Sequence, residues 1–104
     1  MVFSTCPDVA TAAAIGRTLV QESLAACVNV LPGVRSIYAW QGAVQDESEA
    51  FMIIKTTADR FPELRDRLIG LHPYELPEVV ALSPAAGHDA YFLWVAEATR
   101  TPDA

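Results

Sequence analysis

Apolar positions along the chain change period several times, and each change marks an element. Val2 and Phe3 open a short strand that Pro7 ends. A helical period follows from about Val9 to Ala25, with Ala12, Ile15, Leu19 and Leu24 near one face and Asp8 placed as its cap. Gly16 costs about 1 kcal/mol in a helix interior relative to alanine, so it marks a close approach of that helix to a sheet. From Leu24 to Lys55 the residues are β-branched and aromatic on both sides of Gly42, which predicts two long strands folded back on each other. Pro32 and Gly33 predict a bulge in the first, and Gln45 to Glu49 make a polar tip on the second before the apolar run Ala50 to Ile54. Helical spacing returns from Arg60 to Leu71 with Asp59 as a candidate cap, and Pro73 stops it. The run Val79 to Leu82 reads as a short strand, apolar on both faces and so expected inside a sheet or an interface. Asp89 is a candidate cap for a last helix carrying Tyr91, Trp94, Val95 and Ala98 on one face.

This order is the split βαβ pattern called ferredoxin-like: an α+β fold with an antiparallel sheet, a long protruding hairpin and an added C-terminal helix. Residues 1–104 are expected to form a single domain, with a frayed end after Arg100. A hairpin of this length exceeds what one small sheet covers, and together with a 52% hydrophobic content it predicts burial against further copies of the chain.

Composition narrows the partners. The net charge of −6 disfavours nucleic acid and anionic membrane surfaces, and no apolar run is long enough for a membrane span. No export signal is visible at Met1, so a cytoplasmic location is expected. Two cysteines are too few for a disulfide scaffold.

The densest chemistry is the stretch His72 to Glu78, which the topology brings near Cys6 and Asp8. It reads either as a binding segment stiffened by Pro73 and Pro77 or as a rigid connection. Cys6 and His72 make a soft pair suited to copper or zinc. Cys6, close to a helix N-terminus, is also a candidate for a lowered thiol pKa, whereas Cys27 reads as a buried structural thiol. Lys55, the lone lysine, needs a carboxylate partner, and Glu78 of a neighbouring copy is one candidate. Tyr38 and Trp40 share a ribbon face and either line a pocket or pack an interface. Phosphate-binding glycine loops, a nucleophile elbow and HExxH are missing, so the sequence does not support an enzyme.

The segments Leu24-Ala25-Ala26-Cys27-Val28-Asn29, Pro32-Gly33, Ser36-Ile37-Tyr38 with Trp40 and Gly42, Ile54-Lys55-Thr56, and His72-Pro73-Tyr74 with Pro77-Glu78 resemble the CutA family of divalent-cation tolerance proteins over almost the whole chain. The resemblance implies a ferredoxin-like subunit, an interlocked cytoplasmic homotrimer and a link to copper and other divalent cations. It places His72 at the family's proposed metal-ligand histidine and Ser4 at its ligand cysteine. Leu71 takes the place of a second histidine, and Cys6, two residues beyond Ser4 on the same strand face, becomes the substitute. The likeness of this family to PII signalling trimers implies an alternative, a small-molecule sensor without a nucleotide loop, and a trimeric scaffold is a third reading. The expected site is therefore Tyr74 and Glu78, with Trp40 and Lys55 contributed from within the trimer, for a small molecule, and His72 and Cys6 for a metal ion.

Overall fold

Strand β1 (Val2–Cys6) leads through the Asp8 cap into helix α1 (Val9–Gln21), with the Asp8 carboxylate accepting from the Thr11 amide at 2.7 Å. The long strands β2 (Cys27–Trp40) and β3 (Ala43–Lys55) follow, then helix α2 (Phe61–Leu71), the two-residue strand β4 (Val80–Ala81) and helix α3 (Asp89–Ala98). This computed structural model describes Met1 to Thr101; the end after Arg100, expected to fray, otherwise lies outside the described residues.

The four strands form one antiparallel sheet in the order β2-β3-β1-β4, the ferredoxin-like arrangement. Alternation along β1 and β3 sends Val2, Ser4, Cys6, Ala50, Met52 and Ile54 to the helix side, where they are buried with Ile15 and Leu19 of α1 and Leu64 and Leu68 of α2. On the other face Phe3 and Phe51 meet at 5.4 Å between ring centroids and stay half-buried. Gly16 sits where expected: a Cβ there would lie 3.0 Å from Val28 Cγ1, so the missing side chain lets α1 settle on β2.

The ribbon turns at Gln41 and Gly42, both at positive φ (50° and 81°), the geometry that matches a two-residue hairpin to strand twist. The ladder slips between Leu31 and Val34, where Pro32 offers no donor and Gly33 adopts φ 72°. The projecting ribbon raises the radius of gyration to 14.5 Å, against about 13 Å for a compact chain of this length.

Four expectations about elements are corrected. Helix α1 stops at Gln21 rather than Ala25, because Ser23 takes φ 58° and the Leu24 and Ala25 amides both turn back to the Leu19 carbonyl. Neither Asp59 nor Asp89 caps its helix: Arg60 and His88 hold those positions without a side-chain cap bond, and Asp89 is already inside the first turn of α3. Strand β4 keeps only Val80 and Ala81 and lies at the sheet edge beside β1 with both exposed in the single subunit, which corrects the sheet-interior alternative and leaves the interface one to the assembly. On α3 only Val95 of the expected face is buried, while Tyr91 and Trp94 pack on each other at 5.6 Å and remain exposed.

Candidate functional site

The end of β1, the outer half of the ribbon and the loop after α2 meet around His72. The loop turns away from α2 because His72, ahead of Pro73, leaves helical geometry for ψ 138°. Its ring then reaches across to β1, with Nε2 2.7 Å from the Thr5 carbonyl and 3.6 Å from Cys6 Sγ. The Tyr74 amide donates to Nδ1 at 3.1 Å. A carbonyl can only accept and an amide can only donate, so the proton sits on Nε2 and both ring nitrogens are engaged. Cys6 Sγ lies 3.4 Å from Met52 Sδ on its other side.

The expected juxtaposition of Cys6 with His72 is therefore present, but the expected lowering of the thiol pKa is not. Burial pushes Cys6 up to about 11, and the charges of Glu49 and Asp8 push the same way. At the N-terminus of α1 the Thr11 amide is already taken by the Asp8 carboxylate, whose charge adds to the rise. Cys27, expected to be buried, is half-buried, and both cysteines are free.

Beyond His72 the site opens into a cleft of about 660 Å3 between the ribbon and residues 73–78. Trp40, Tyr74 and Glu78 all line it, and so does Tyr38; the shared face of Tyr38 and Trp40 fronts this cleft. Lys55 of the same chain does not line it; the expectation that a neighbouring copy supplies Lys55 concerns the assembly. Within the chain Lys55 pairs with Cys27 at the base of the ribbon, far along β3 from the cleft-lining Glu47 and Glu49.

Sequence reasoning missed Glu49. It belongs to the polar tip by composition, yet it is only 8% exposed, because the loop carrying Tyr74 folds over it. Tyr74 Oη donates to Glu49 Oε2 at 2.6 Å, and this carboxylate together with burial pushes the phenol pKa well above its ordinary value, burial being the larger cause. A second tyrosine–carboxylate pair, Tyr38 Oη to Glu47 Oε2 at 3.1 Å, lies along the same wall. The signal available in the sequence was strand alternation: Glu49 and Glu47 share a face of β3, beside Ser36, Tyr38 and Trp40 on β2.

No three of His, Cys, Asp and Glu converge on one point among the described residues. Ser4, the residue at the ligand-cysteine position, is fully buried with its hydroxyl unpartnered. Only Cys6 and His72 stand together, and a metal at Nε2 would have to displace both its proton and the Thr5 carbonyl.

The fold and this cleft define a small α+β protein with a projecting ribbon and a ligand-sized recess between the ribbon's outer half and the loop after α2. The CutA1 divalent ion tolerance family model matches residues 1–98, and the chain belongs to that family. A divalent-cation tolerance protein CutA of Thermus thermophilus is 46% identical over 99 residues, spanning 95% of this chain and 96% of the relative. The human Protein CutA is 42% identical over 99 residues; the match takes in 95% of this chain but only 55% of that protein. Among solved structures, CutA from Xylella fastidiosa superposes with a TM-score of 0.92 at 45% identity, covering 94% of each chain. The periplasmic divalent cation tolerance protein CutA from Archaeoglobus fulgidus gives 0.92 at 31% identity, covering 95% and 96%. None of these names specifies a reaction.

Proposed function

We propose that the chain works as a homotrimeric, cytoplasmic, non-enzymatic divalent-cation tolerance protein that binds copper, or another soft divalent cation such as zinc, weakly and reversibly. The observation that carries the reading is the buried Cys6–His72 pair, 3.6 Å apart, next in sequence to the cleft-lining Thr5 and Pro73. A soft ion sits about 2.0–2.3 Å from such ligands, so one ion can bridge them. It must compete with the Thr5 and Tyr74 bonds and with a thiol that holds its proton up to about pH 11, which accounts for weak binding. Two free cysteines suit a reducing compartment. Assembly is supported by the apolar surface a lone subunit leaves open: Val44 is 77% and Ile37 65% exposed on the ribbon, and Val80 and Leu82 are exposed at the sheet edge.

Calorimetric titration of copper and zinc ions into the wild type and a Cys6→Ser, His72→Ala double variant tests the metal reading. Micromolar or weaker binding that disappears in the variant supports it; equal affinities in the two proteins refute it. Light scattering tests the assembly, and a stable monomer at micromolar concentration refutes the trimer. Within a trimer, Ile53→Asp on the open sheet face is expected to weaken association through an unpaired buried charge.

The cleft favours a second reading, a PII-like small-molecule sensor. Its volume of about 660 Å3 falls in the range of roughly 300–1,000 Å3 found for ligand sites, and a bare metal ion needs far less.

A further inference from the structure

The chemistry of the cleft wall is lopsided. Glu47, Glu49, Glu75 and Glu78 all line it, while no lysine, arginine or histidine does. Among the described residues the five ion pairs are Arg35–Asp46, Arg60–Glu63, Arg65–Asp66, Arg67–Glu22 and Arg100–Glu97, and none includes a cleft glutamate.

Glu49 makes this more than an acidic surface. Glu49 is only 8% exposed as a residue and has no ion-pair partner among the described residues. Tyr74 satisfies Oε2, and Oε1 is not among the buried unpartnered atoms, which leaves it open at the cleft wall. The tyrosine also holds the carboxylate in one orientation at the cleft wall. Beside Glu47 and Glu49, on the same ribbon face from β2, are Tyr38 and Trp40, large aromatic rings left exposed on the free subunit. Aromatic faces attract organic cations and give nothing comparable to anions. Carboxylates beside aromatic walls, in a recess far larger than one ion, specify a ligand that is both cationic and partly apolar.

We propose that the cleft binds a small organic cation, a primary ammonium group carried on a short alkyl chain, with Glu49 and Glu78 accepting from the ammonium and Trp40 covering the alkyl chain. This inference rests on the reading of the cleft as a small-molecule site and is independent of the Cys6–His72 pair. A hard divalent ion would use the carboxylates but leave Trp40 without a role, and an anionic metabolite would be repelled by the four glutamates.

Cadaverine and its uncharged counterpart 1,5-pentanediol are the probes, titrated by calorimetry into the full-length assembled protein at low salt. Cadaverine is expected to bind saturably and at least tenfold more tightly than the diol. Glu49→Gln keeps an acceptor for Tyr74 and should weaken cadaverine at least tenfold, and Trp40→Ala should weaken it at least threefold. Glu78 is exposed, so Glu78→Gln preserves the fold if Glu49→Gln does not, and is expected to cost at least threefold. Equal binding of the two probes, unchanged cadaverine affinity in a Glu49→Gln, Glu78→Gln variant, or no saturable binding overturns the proposal. The last outcome also arises if a neighbouring copy fills the cleft, or if only magnesium ions bind there, and both overturn it. Titrations of copper and of cadaverine into the wild type are read separately: saturable cadaverine binding without copper binding leaves this inference standing while the metal reading fails, and the reverse holds too.

Discussion

The two halves of the ribbon share one ladder but live in different solvents. In the inner half, Val28 and Val30 pair with Ile54 and Met52, and the β3 residues Ala50, Met52 and Ile54 are fully enclosed by the helices. In the outer half, Val34 to Trp40 pair with Glu49 to Ala43, and most side chains stand in water. The slip at Pro32 and Gly33 divides them. Equal hydrogen bonding with unequal burial separates two tasks: the inner half supplies stability, because apolar area leaves water there, and the outer half supplies a surface on which carboxylates and aromatics can serve a ligand.

Truncations at matched positions should break the comparison most visibly. Ile54→Ala, in the inner half, is expected to cost about 2–5 kcal/mol in urea unfolding, while Val44→Ala in the outer half should change the stability of the subunit by less than about 0.5 kcal/mol. Comparable losses at the two sites would erase the distinction.

A pH titration sharpens it at the boundary. The Cys6 thiol is raised from 9.0 to about 11 in the folded chain. Between these values the unfolded chain has released this proton and the folded chain still holds it, so stability falls as pH rises through that window. Below pH 9 the contribution is complete. At 1.36 kcal/mol per unit the loss is on the order of 2 kcal/mol by pH 11. Circular dichroism melts at pH 8 to 11 should show it, and Cys6→Ala should flatten the slope; the raised Tyr74 phenol adds to the fall at the upper end.

Smaller effects belong to the outer half. Tyr74→Phe removes a hydrogen bond to the buried Glu49 carboxylate and is expected to cost about 1–2 kcal/mol, measured by denaturant midpoint. At the bottom of the scale, Arg35→Ala breaks the bidentate pair with Asp46, but Arg35 is largely exposed, and the loss should stay below about 1 kcal/mol. A larger value would mean that the outer ladder stabilises the subunit after all.

Local chemistry made much of the fold legible. Asp8 before a helical period, Gly16 within it, Pro32-Gly33 within a strand and Gly42 at a turn each act through backbone rules spanning a few residues, and each sits where those rules place it. The family was legible for the same reason, since its motifs are contiguous. Features needing three-dimensional neighbours were not. Asp59 and Asp89 have the right type for caps, yet the path of the chain places Arg60 and His88 at those positions.

Around His72, the approach of Cys6, Tyr74 and Glu78 follows from topology, because strand order alone brings the end of β1 and the loop after α2 to one end of the sheet; Trp40 joins the cleft from the outer ribbon, which strand order does not dictate. Within one chain Lys55 stays at the other end of β3, where its pairing with Cys27 holds it. Only the tertiary structure decided the state of Glu49 and of Cys6. Composition makes Glu49 a solvated charge and the helix N-terminus makes Cys6 a reactive thiol, but burial depends on which distant segment folds over a residue. Tyr74 covers the first, and Met52 and His72 enclose the second, from positions 25, 46 and 66 residues away along the chain.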